Sequence, residues 1–433
     1  MRYTSTRESK NHTSVGFESA IAQGLARDGG LYVPEVLPDF DCVESGTKVE
    51  PADVAYRLLK PFVRDSRIAD HLEEICRTSF NFPLVQTGLD TGHQLSVLEL
   101  FHGPTAAFKD IGAGFLAGCL AHCQGKALRT TILVATSGDT GAAVAAAFHG
   151  RKDIDVVILY PRGLVSPRQA HQLSCWGDNV RTYEVNGTFD DCQRLVKGAF
   201  VDPEIIGQQN LCSANSINIG RLLPQMVYYA SAALGHYRES GKKPGFVIPT
   251  GNLGNAFAGI LARRLGWPIG DIVLATNANR PVPDFLETGR WEPRPSIATL
   301  ASAMDVGNPS NMERLRWLYP DAADLSQFVS AVSASDEDIA TAIRYGFEQW
   351  GAHWCPHSAT AYHAWNSLSD RKKKQPWLLL ATAHAAKFDV IVEPLIGDQV
   401  SLPETLSRLM ERPACRESIA AEPEALRKVL MDL

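Results

Sequence analysis

The sequence predicts an α/β fold with two parallel-sheet domains covered by helices, preceded by an N-terminal unit that is mainly helical. The first observation is the length, because 433 residues are long for one domain and suggest two or three packed units. The second is a pair of series in which short apolar runs alternate with helical patterns. The segments between those runs are long enough for crossover helices, which parallel strands require. We therefore divide the chain into residues 1–93, 94–237 and 238–433.

The first unit is predicted to be mainly helical. Apolar residues at helical spacing predict three helices, at residues 16–23, 52–64 and 66–78. Asp28-Gly-Gly30 is a turn signal in front of one short strand, at residues 31–33.

The second unit carries the first α/β series. Its strand candidates are short apolar runs at residues 94–100, 131–135, 156–160, 180–185 and 210–213. Thr188 and Asp191 form a capping box in front of an apolar stripe, which predicts a helix between the last two strands. The alternation indicates a parallel sheet covered on both faces.

The third unit carries the second α/β series. Its strand candidates lie at residues 246–249, 272–276 and 377–382. Ser335 and Asp338 form another capping box in front of an apolar stripe at helical spacing. Two amphipathic helices are predicted after Pro403.

Composition excludes several classes of function. The net charge of −6 gives no electrostatic case for nucleic acid or an anionic membrane. The one dense basic run, residues 371–374, contains no aromatic residues for base stacking and is expected to be a solvated loop. No run reaches the length of a transmembrane helix, and the first residues lack the apolar core of a signal peptide. We expect no nucleic-acid partner and no membrane partner.

The cysteines and histidines indicate neither disulfides nor a metal. Nine cysteines occur without a CxxC pair, which fits reduced thiols and a cytoplasmic location. Cys119 and Cys123 share one helical face, where a buried apolar pair is the simpler interpretation. No histidine, cysteine and aspartate cluster at metal-ligand spacing is visible, so no metal site is predicted.

Lys109 is the leading candidate for chemistry. It follows a predicted strand and a turn at residues 102–104, in the first turn of a helix entered near Thr105. Apolar neighbours at residues 106–108 and the positive helix end should lower the pKa of its ammonium group. Such a lysine can form a Schiff base with a carbonyl compound. A solvated lysine at a helix start is the structural alternative.

Three further turns lie where a strand meets a helix and could bind anions. Residues 135–141 contain two glycines, at positions 138 and 141, together with Ser137, Asp139 and Thr140, ahead of unpaired helix N–H groups. A tight turn capped by Asp139 is the structural alternative.

The second turn, residues 249–255, has glycines that allow a nest of N–H donors for a phosphate. It matches neither a dinucleotide fingerprint nor a Walker loop, which argues against NAD and ATP.

The third turn, residues 214–221, offers Asn215, Ser216 and the guanidinium of Arg221, which can bind a phosphate in a bidentate way. The structural alternative is a polar turn in which Arg221 forms an ion pair.

Several of these segments resemble those of one enzyme family. His102-Gly-Pro-Thr-Ala-Ala-Phe-Lys-Asp110 resembles the cofactor-lysine segment of threonine synthases, which belong to the fold type II group of pyridoxal-phosphate enzymes. The other segments that resemble this family, in family order, are residues 3–7, 24–35, 135–141, 215–221, 249–255, 303–314 and 380–388.

The resemblance implies a role for each site residue. Lys109 would carry pyridoxal 5'-phosphate and then act as general base, and Thr382 would meet the pyridine nitrogen. The cofactor phosphate would be held by Gly251, Asn252, Leu253, Gly254 and Asn255. The substrate would be bound by Ser137, Asp139 and Thr140 and, at its phosphate, by Asn215, Ser216 and Arg221. Leu253 stands where phenylalanine is frequent in the family, and Ala385 where proline is usual.

The resemblance also implies the reaction. It is the conversion of O-phospho-L-homoserine and water to L-threonine and phosphate, the last step of threonine biosynthesis. The rival interpretations are a related pyridoxal-phosphate dehydratase or β-replacement synthase, and a catalytically silent ligand sensor on the same fold. The sequence does not fix the oligomeric state, which is a monomer or a homodimer.

Overall fold

The computed structural model describes residues 1–7, 14–40, 50–90, 92, 94–123 and 129–433. Residue 93, at which the sequence analysis ends the first unit, lies outside this part. No described helix has both the length and the apolar character needed to cross a membrane.

Thirteen strands are present in the described residues. They are β1 (Tyr3–Ser5), β2 (Tyr32–Pro34), β3 (Val85–Asp90), β4 (Leu95–Glu99), β5 (Thr130–Ala135), β6 (Ile154–Pro161), β7 (Val180–Asn186), β8 (Asn210–Ser213), β9 (Gly245–Pro249), β10 (Ile272–Thr276), β11 (Val329–Ser333), β12 (Trp377–Ala381) and β13 (Glu417–Ala420). All strands that the sequence predicts are confirmed, with ends that differ by at most a residue or two.

The helices connect these strands and cover their faces. They are α1 (Phe17–Gln23), α2 (Pro51–Val63), α3 (Ile68–Ser79), α4 (Lys109–Cys123), α5 (Asp139–Phe148), α6 (Pro167–Ser174), α7 (Phe189–Ala199), α8 (Pro203–Gln208), α9 (Ile219–Leu222), α10 (Met226–Ser240), α11 (Gly254–Arg264), α12 (Pro281–Thr288), α13 (Met312–Leu318), α14 (Ala322–Ser326), α15 (Asp336–Trp350), α16 (Pro356–Asn366), α17 (Asp370–Lys373), α18 (Asp389–Ile396), α19 (Glu404–Met410) and α20 (Pro423–Met431). Both predicted capping boxes are confirmed, at the starts of α7 and α15.

Two sheets organise the molecule. One has five parallel strands in the order β13-β7-β6-β5-β8. The other has six strands in the order β11-β10-β9-β12-β4-β3, all parallel except β3, which runs antiparallel to β4. A separate antiparallel ribbon of β1 and β2 accompanies the N-terminal helices. The predicted α/β class, with two largely parallel sheets covered by helices, is confirmed.

Sheet membership does not follow the order of the chain. The sequence predicts β4 as one of the strands of residues 94–237, but β4 pairs with β12, with Leu98 opposite Leu380. Near the C-terminus, β13 belongs by its position in the chain to the third unit, but it pairs with β7 of the second unit. Parallel pairing depends on which strands meet in space, and a series of apolar runs carries no such information. The assignment of β4 to the first sheet is therefore wrong.

Three strands of the two sheets, β3, β11 and β13, were not predicted from the sequence. All three are edge strands; β3 and β13 contain no buried residue, and in β11 the two valines are separated by serine and alanine. Edge strands have one unpaired side and little apolar surface to bury, so their sequences lack a continuous apolar run.

Helix α4 is the central helix of the fold. It is buried along most of its length and contacts α1, α3, α5 and α9. Phe115 and Leu116 are fully buried in the largest apolar core, which also contains residues of the N-terminal helices and of both sheets. The packing of α4 therefore fixes the position of its first residue, Lys109.

Candidate active site

One cavity lies at the carboxyl ends of strands from both sheets, the usual place for ligands in α/β folds. Every site residue predicted from the sequence lines it: Lys109, Ser137, Asp139, Thr140, Asn215, Ser216, Arg221, Gly251, Asn252, Leu253, Gly254, Asn255 and Thr382. The segment at residues 303–314 also lines this cavity, through Ala303, Met304 and Val306. The fold thus brings together segments that are far apart in the chain.

Lys109 is fixed by a turn and by a contact with the end of β12. The helix begins at Lys109 and not near Thr105, because a turn intervenes in which Ala106 has a left-handed φ of 53°. The N–H of Phe108 donates to the carbonyl of Thr382 at 2.9 Å. This contact holds Lys109 and Thr382 on one side of the cavity.

The surroundings of Lys109 favour its neutral amine. Burial lowers the pKa of its ammonium group, and the cations of Lys387 and Arg221 act in the same direction, whereas the carboxylate of Asp139 opposes them. A lowered pKa provides the free amine that a Schiff base requires.

The turn at residues 249–255 has the features of an oxyanion site. Leu253 takes a left-handed φ of 61°, so that α11 begins at Gly254 directly beside the cavity. The buried Thr250 Oγ1 and Asn255 Nδ2 have no hydrogen-bond partner within the described part of the chain. Free helix N–H groups and two unpaired buried polar atoms can together bind a phosphate.

Neighbouring segments brace this turn. The carbonyl of Asn252 accepts from Asn311 Nδ2 at 3.0 Å, and its side-chain oxygen accepts from the N–H of Ser310 at 2.8 Å. A Cβ added at Gly251 would lie 2.7 Å from the Cα of Met304. Only glycine fits at position 251.

Gly251→Ala should therefore weaken cofactor binding. Displacing the backbone at Met304 or the turn itself costs about 1–3 kcal/mol, or roughly 5- to 150-fold in affinity. Titration of the apoprotein with pyridoxal phosphate measures the change. Gly198→Ala is the matched control, because no atom lies within 4 Å of its added Cβ. Unchanged affinity in Gly251→Ala would show that this turn does not hold the cofactor.

The turn at residues 135–141 is organised by Thr136, which the sequence analysis did not single out. Its hydroxyl oxygen accepts from the N–H groups of Gly138 and Gly141 at 3.0 and 2.9 Å. Gly138 has a φ of 130°, and a Cβ there would lie 2.4 Å from Gln169 Nε2. Ser137 and Thr140 border the cavity from this turn.

Asp139 is not a helix cap. Its carboxylate pairs with the buried Lys387 at 2.7 Å and accepts from Gln169 Nε2 at 2.9 Å, while Gly138 occupies the capping position. Burial alone would raise the pKa of Asp139, but Lys387 and Lys109 outweigh that effect and hold the pKa well below its usual range. The structural alternative, a cap by Asp139, is wrong.

Lys387 is a buried cation that the sequence analysis missed. Besides Asp139 it donates to the carbonyl of Thr105 at 2.8 Å, so it joins the start of α5 to the turn in front of Lys109. Its segment folds as a 3-10 turn at Ala385–Phe388, and His384 Nδ1 accepts from the N–H of Ala386. The turn forms with alanine at position 385.

The turn at residues 214–221 presents a cation that has no anionic partner in the described ranges. Arg221 is 3% exposed, and it donates through one terminal nitrogen to the carbonyl of Ala214, while its Nε has no partner in the described part of the chain. Burial lowers the pKa of Arg221 to about 10, against the opposing charge of Asp110. Within the described ranges Arg221 forms no ion pair, so the structural alternative offered for it is not observed.

Asn215 and Ser216 are held beside Arg221 by neighbouring segments. Asn215 Nδ2 donates to the carbonyl of Ala135 at 2.9 Å, and Asn311 Nδ2 donates to the hydroxyl of Ser216 at 3.3 Å. The fully buried Arg314 donates to the carbonyls of Tyr32 and Ile217. The N-terminal unit thereby supports this turn.

The described residues contain one group with a possible metal-ligand composition: His71, Glu74 and His122, whose ligand atoms lie within 4.8 Å of one another. The two imidazole rings are stacked, with centroids 3.8 Å apart and planes inclined by 15°. Lone pairs in nearly parallel planes do not converge on one ion, so this arrangement does not form a chelating site. The group could not be predicted from the sequence, because α3 and α4 bring together residues that are distant in the chain.

Comparisons with known proteins agree along the whole chain. The family model described as pyridoxal-phosphate dependent enzyme matches residues 82–382. The models for the threonine synthase N terminus and C-terminal region match residues 2–80 and 358–430.

Curated relatives and solved structures give the same result. The chain is 40% identical to the threonine synthase of Escherichia coli strain K12 over 98% of both chains, and 39% identical to that of Haemophilus influenzae over 96% of this chain and 97% of the relative. Crystal structures of threonine synthase from Escherichia coli and of PLP-bound threonine synthase from Brucella melitensis each match with a TM-score of 0.89. Their sequence identities are 39% and 34%; both matches cover all of this chain, with 100% and 99% of the respective structures. The chain belongs to the threonine synthase family of pyridoxal-phosphate dependent enzymes.

Proposed function

We propose that the chain converts O-phospho-L-homoserine and water to L-threonine and phosphate, using pyridoxal 5'-phosphate. The observation that carries the choice of substrate is the buried guanidinium of Arg221, which borders the cavity without an anionic partner among the described residues. A buried cation without an ion pair is costly unless a ligand supplies the opposite charge. The phosphate of the substrate would supply it.

The residues present fit the cofactor. Lys109 offers an amine of lowered pKa, and the turn at residues 249–255 offers unpaired donors for a phosphate. Thr382 is the first residue after β12 and borders the cavity, where its hydroxyl could meet the pyridine nitrogen. When bound, pyridoxal phosphate supplies an electron sink for negative charge at the substrate carbons.

Thr382 is placed by its backbone. Its N–H donates to Ser358 Oγ at 3.0 Å, and its carbonyl accepts from Phe108, so the residue cannot shift without disturbing α16 or the turn before Lys109. A hydroxyl is neutral and stabilises a protonated pyridine less than a carboxylate would. Negative charge on the substrate must then be stabilised by other groups at the cavity: the guanidinium of Arg221 borders it, and Lys109 becomes a cation once it has accepted a proton.

The remaining steps use groups of the chain. The neutral amine of Lys109 takes the proton from the substrate Cα. Loss of a second proton, from Cβ, supplies the electron pair that expels the phosphate from Cγ; Cγ is then reprotonated and water adds at Cβ. Arg221, with Asn215 and Ser216, binds the phosphate and stabilises its negative charge as it leaves. The turn at residues 135–141 binds the substrate carboxylate through N–H groups and the hydroxyls of Ser137 and Thr140. The side chain of Asp139 takes no part, because its carboxylate is paired with Lys387.

Phosphate release tests the proposal. The purified holoprotein should release one phosphate for each threonine formed from O-phospho-L-homoserine. O-phospho-L-serine and L-threonine serve as parallel substrates, since a β-replacement synthase would consume the former and a dehydratase the latter. Faster turnover of either parallel substrate, or no turnover of any, would contradict the assignment.

A further inference from the structure

His357 is a buried residue of the active-site cavity for which the proposed function gives no role. It is the second residue of α16, it is 4% exposed, and it lines the same cavity as Lys109 and Thr382. The ring of Phe388 packs against it, with centroids 4.9 Å apart.

The hydrogen bonding of His357 defines which nitrogen carries its proton. Its Nε2 accepts the N–H of Ala303 at 3.0 Å, so the neutral ring must hold its proton on Nδ1. Burial, opposed by the carboxylate of Asp139 and aided by the charges of Lys109 and Lys387, lowers the pKa of His357 to about 4. The ring therefore stays neutral at physiological pH.

The remaining ring nitrogen lacks a partner among the residues that the structure describes. Nδ1 is buried and makes no hydrogen bond within the described part of the chain. A buried N–H donor without an acceptor is uncommon in folded proteins and indicates that a ligand completes the site.

Two contacts place His357 beside the segments expected to hold the cofactor. Its neighbour Ser358 accepts the N–H of Thr382 at 3.0 Å. Ala303, which donates to His357, precedes Met304, whose Cα lies against Gly251. His357 thus connects the Thr382 end of the site with the glycine turn.

We propose that His357 is a cofactor-contacting residue that donates its Nδ1–H to an anionic oxygen of bound pyridoxal phosphate. The inference rests on the proposed function only for the identity of the cofactor. Its test contains no substrate, so the failure of one leaves the other intact.

Two variants separate the two nitrogens. In His357→Gln, the longer side chain can still accept from Ala303 at the place of Nε2, but it offers no donor at Nδ1. In His357→Asn, the shorter amide can donate at the place of Nδ1, but the acceptor for Ala303 is lost. We expect His357→Gln to bind pyridoxal phosphate about tenfold or more weakly than the parent, and His357→Asn to stay within about threefold.

The measurements are absorbance titration of each apoprotein with pyridoxal phosphate and thermal melting of the same apoproteins. A shifted absorbance maximum in His357→Gln would assign the contact to the ring oxygen, and weaker affinity without a shift would assign it to the phosphate. If His357→Asn binds more weakly than His357→Gln, or if both bind as the parent does, the proposal is overturned.

A second measurement uses only the parent protein, so it does not depend on whether a His357 variant folds. In parent protein labelled with nitrogen-15 at histidine, loading with pyridoxal phosphate should shift the Nδ1 resonance of His357. An unchanged resonance would equally overturn the proposal.

Discussion

Lys109→Ala should lower the turnover of O-phospho-L-homoserine by about 10³-fold or more, because the variant loses both the Schiff-base amine and the proton acceptor at Cα. The variant should still bind pyridoxal phosphate, although weakly, since the turn at residues 249–255 remains. Steady-state kinetics and cofactor titration on one preparation measure both quantities.

Borohydride reduction of the loaded parent protein gives an independent check. Peptide mapping should find the cofactor attached to Lys109. Lys387 is an internal control, because it is a second lysine close to the cavity whose ammonium is engaged by Asp139 and by the carbonyl of Thr105. An adduct on Lys387, or on any lysine other than Lys109, would contradict the assignment.

Arg221→Ala should reduce kcat/KM for O-phospho-L-homoserine about a hundredfold. A charge-assisted contact is worth about 1.5–3 kcal/mol, and its loss also leaves the substrate phosphate partly unpaired in a closed site. Inorganic phosphate should compete with the substrate in the parent and much less in the variant. The affinity for the cofactor should be unchanged, because the cofactor phosphate is expected to bind to the turn at residues 249–255.

The controls for Arg221 address volume and charge. The guanidinium packs against α4, where a Cβ added at Gly112 would lie 3.0 Å from Arg221 Nε, so truncation to alanine leaves a void. Arg221→Met fills most of that space without a charge and should lose activity to the same extent. Arg221→Lys keeps the charge but not the planar, bidentate guanidinium, so its kcat/KM should lie between those of the parent and of Arg221→Met. If cofactor binding and activity fall together in Arg221→Met, Arg221 is a structural residue and the choice of substrate loses its main support.

The residues that local sequence could predict lie at junctions between a strand and a helix. Lys109, the turn at residues 135–141 and the turn at residues 249–255 each combine an apolar strand, glycines or small residues, and a helix start within about ten positions. Such patterns are visible in one window of sequence, and the structure gathers these segments around one cavity. Their chemical roles stay predictions until the variants are measured.

The residues that could not be predicted act through contacts between distant segments. Lys387 meets Asp139 across more than two hundred positions, and Ala303 meets His357 through a backbone N–H that no side-chain pattern reveals. Leu253 takes a left-handed conformation that favours glycine, because its backbone forms the turn while its side chain is buried. Only the assembled fold makes these interactions visible.

The place of β12 between β4 and β9 has a consequence for synthesis on the ribosome. The four strands β5 to β8 are contiguous in the chain and adjacent in their sheet, so they can pair soon after residue 213 has emerged. By contrast, β4 has emerged early but must wait for Trp377–Ala381 before it can join β9 through β12. Lys109 follows β4 in the chain, so it too is synthesised long before β12 is available. The nascent chain carries its reactive lysine through most of translation without a completed cofactor site around it.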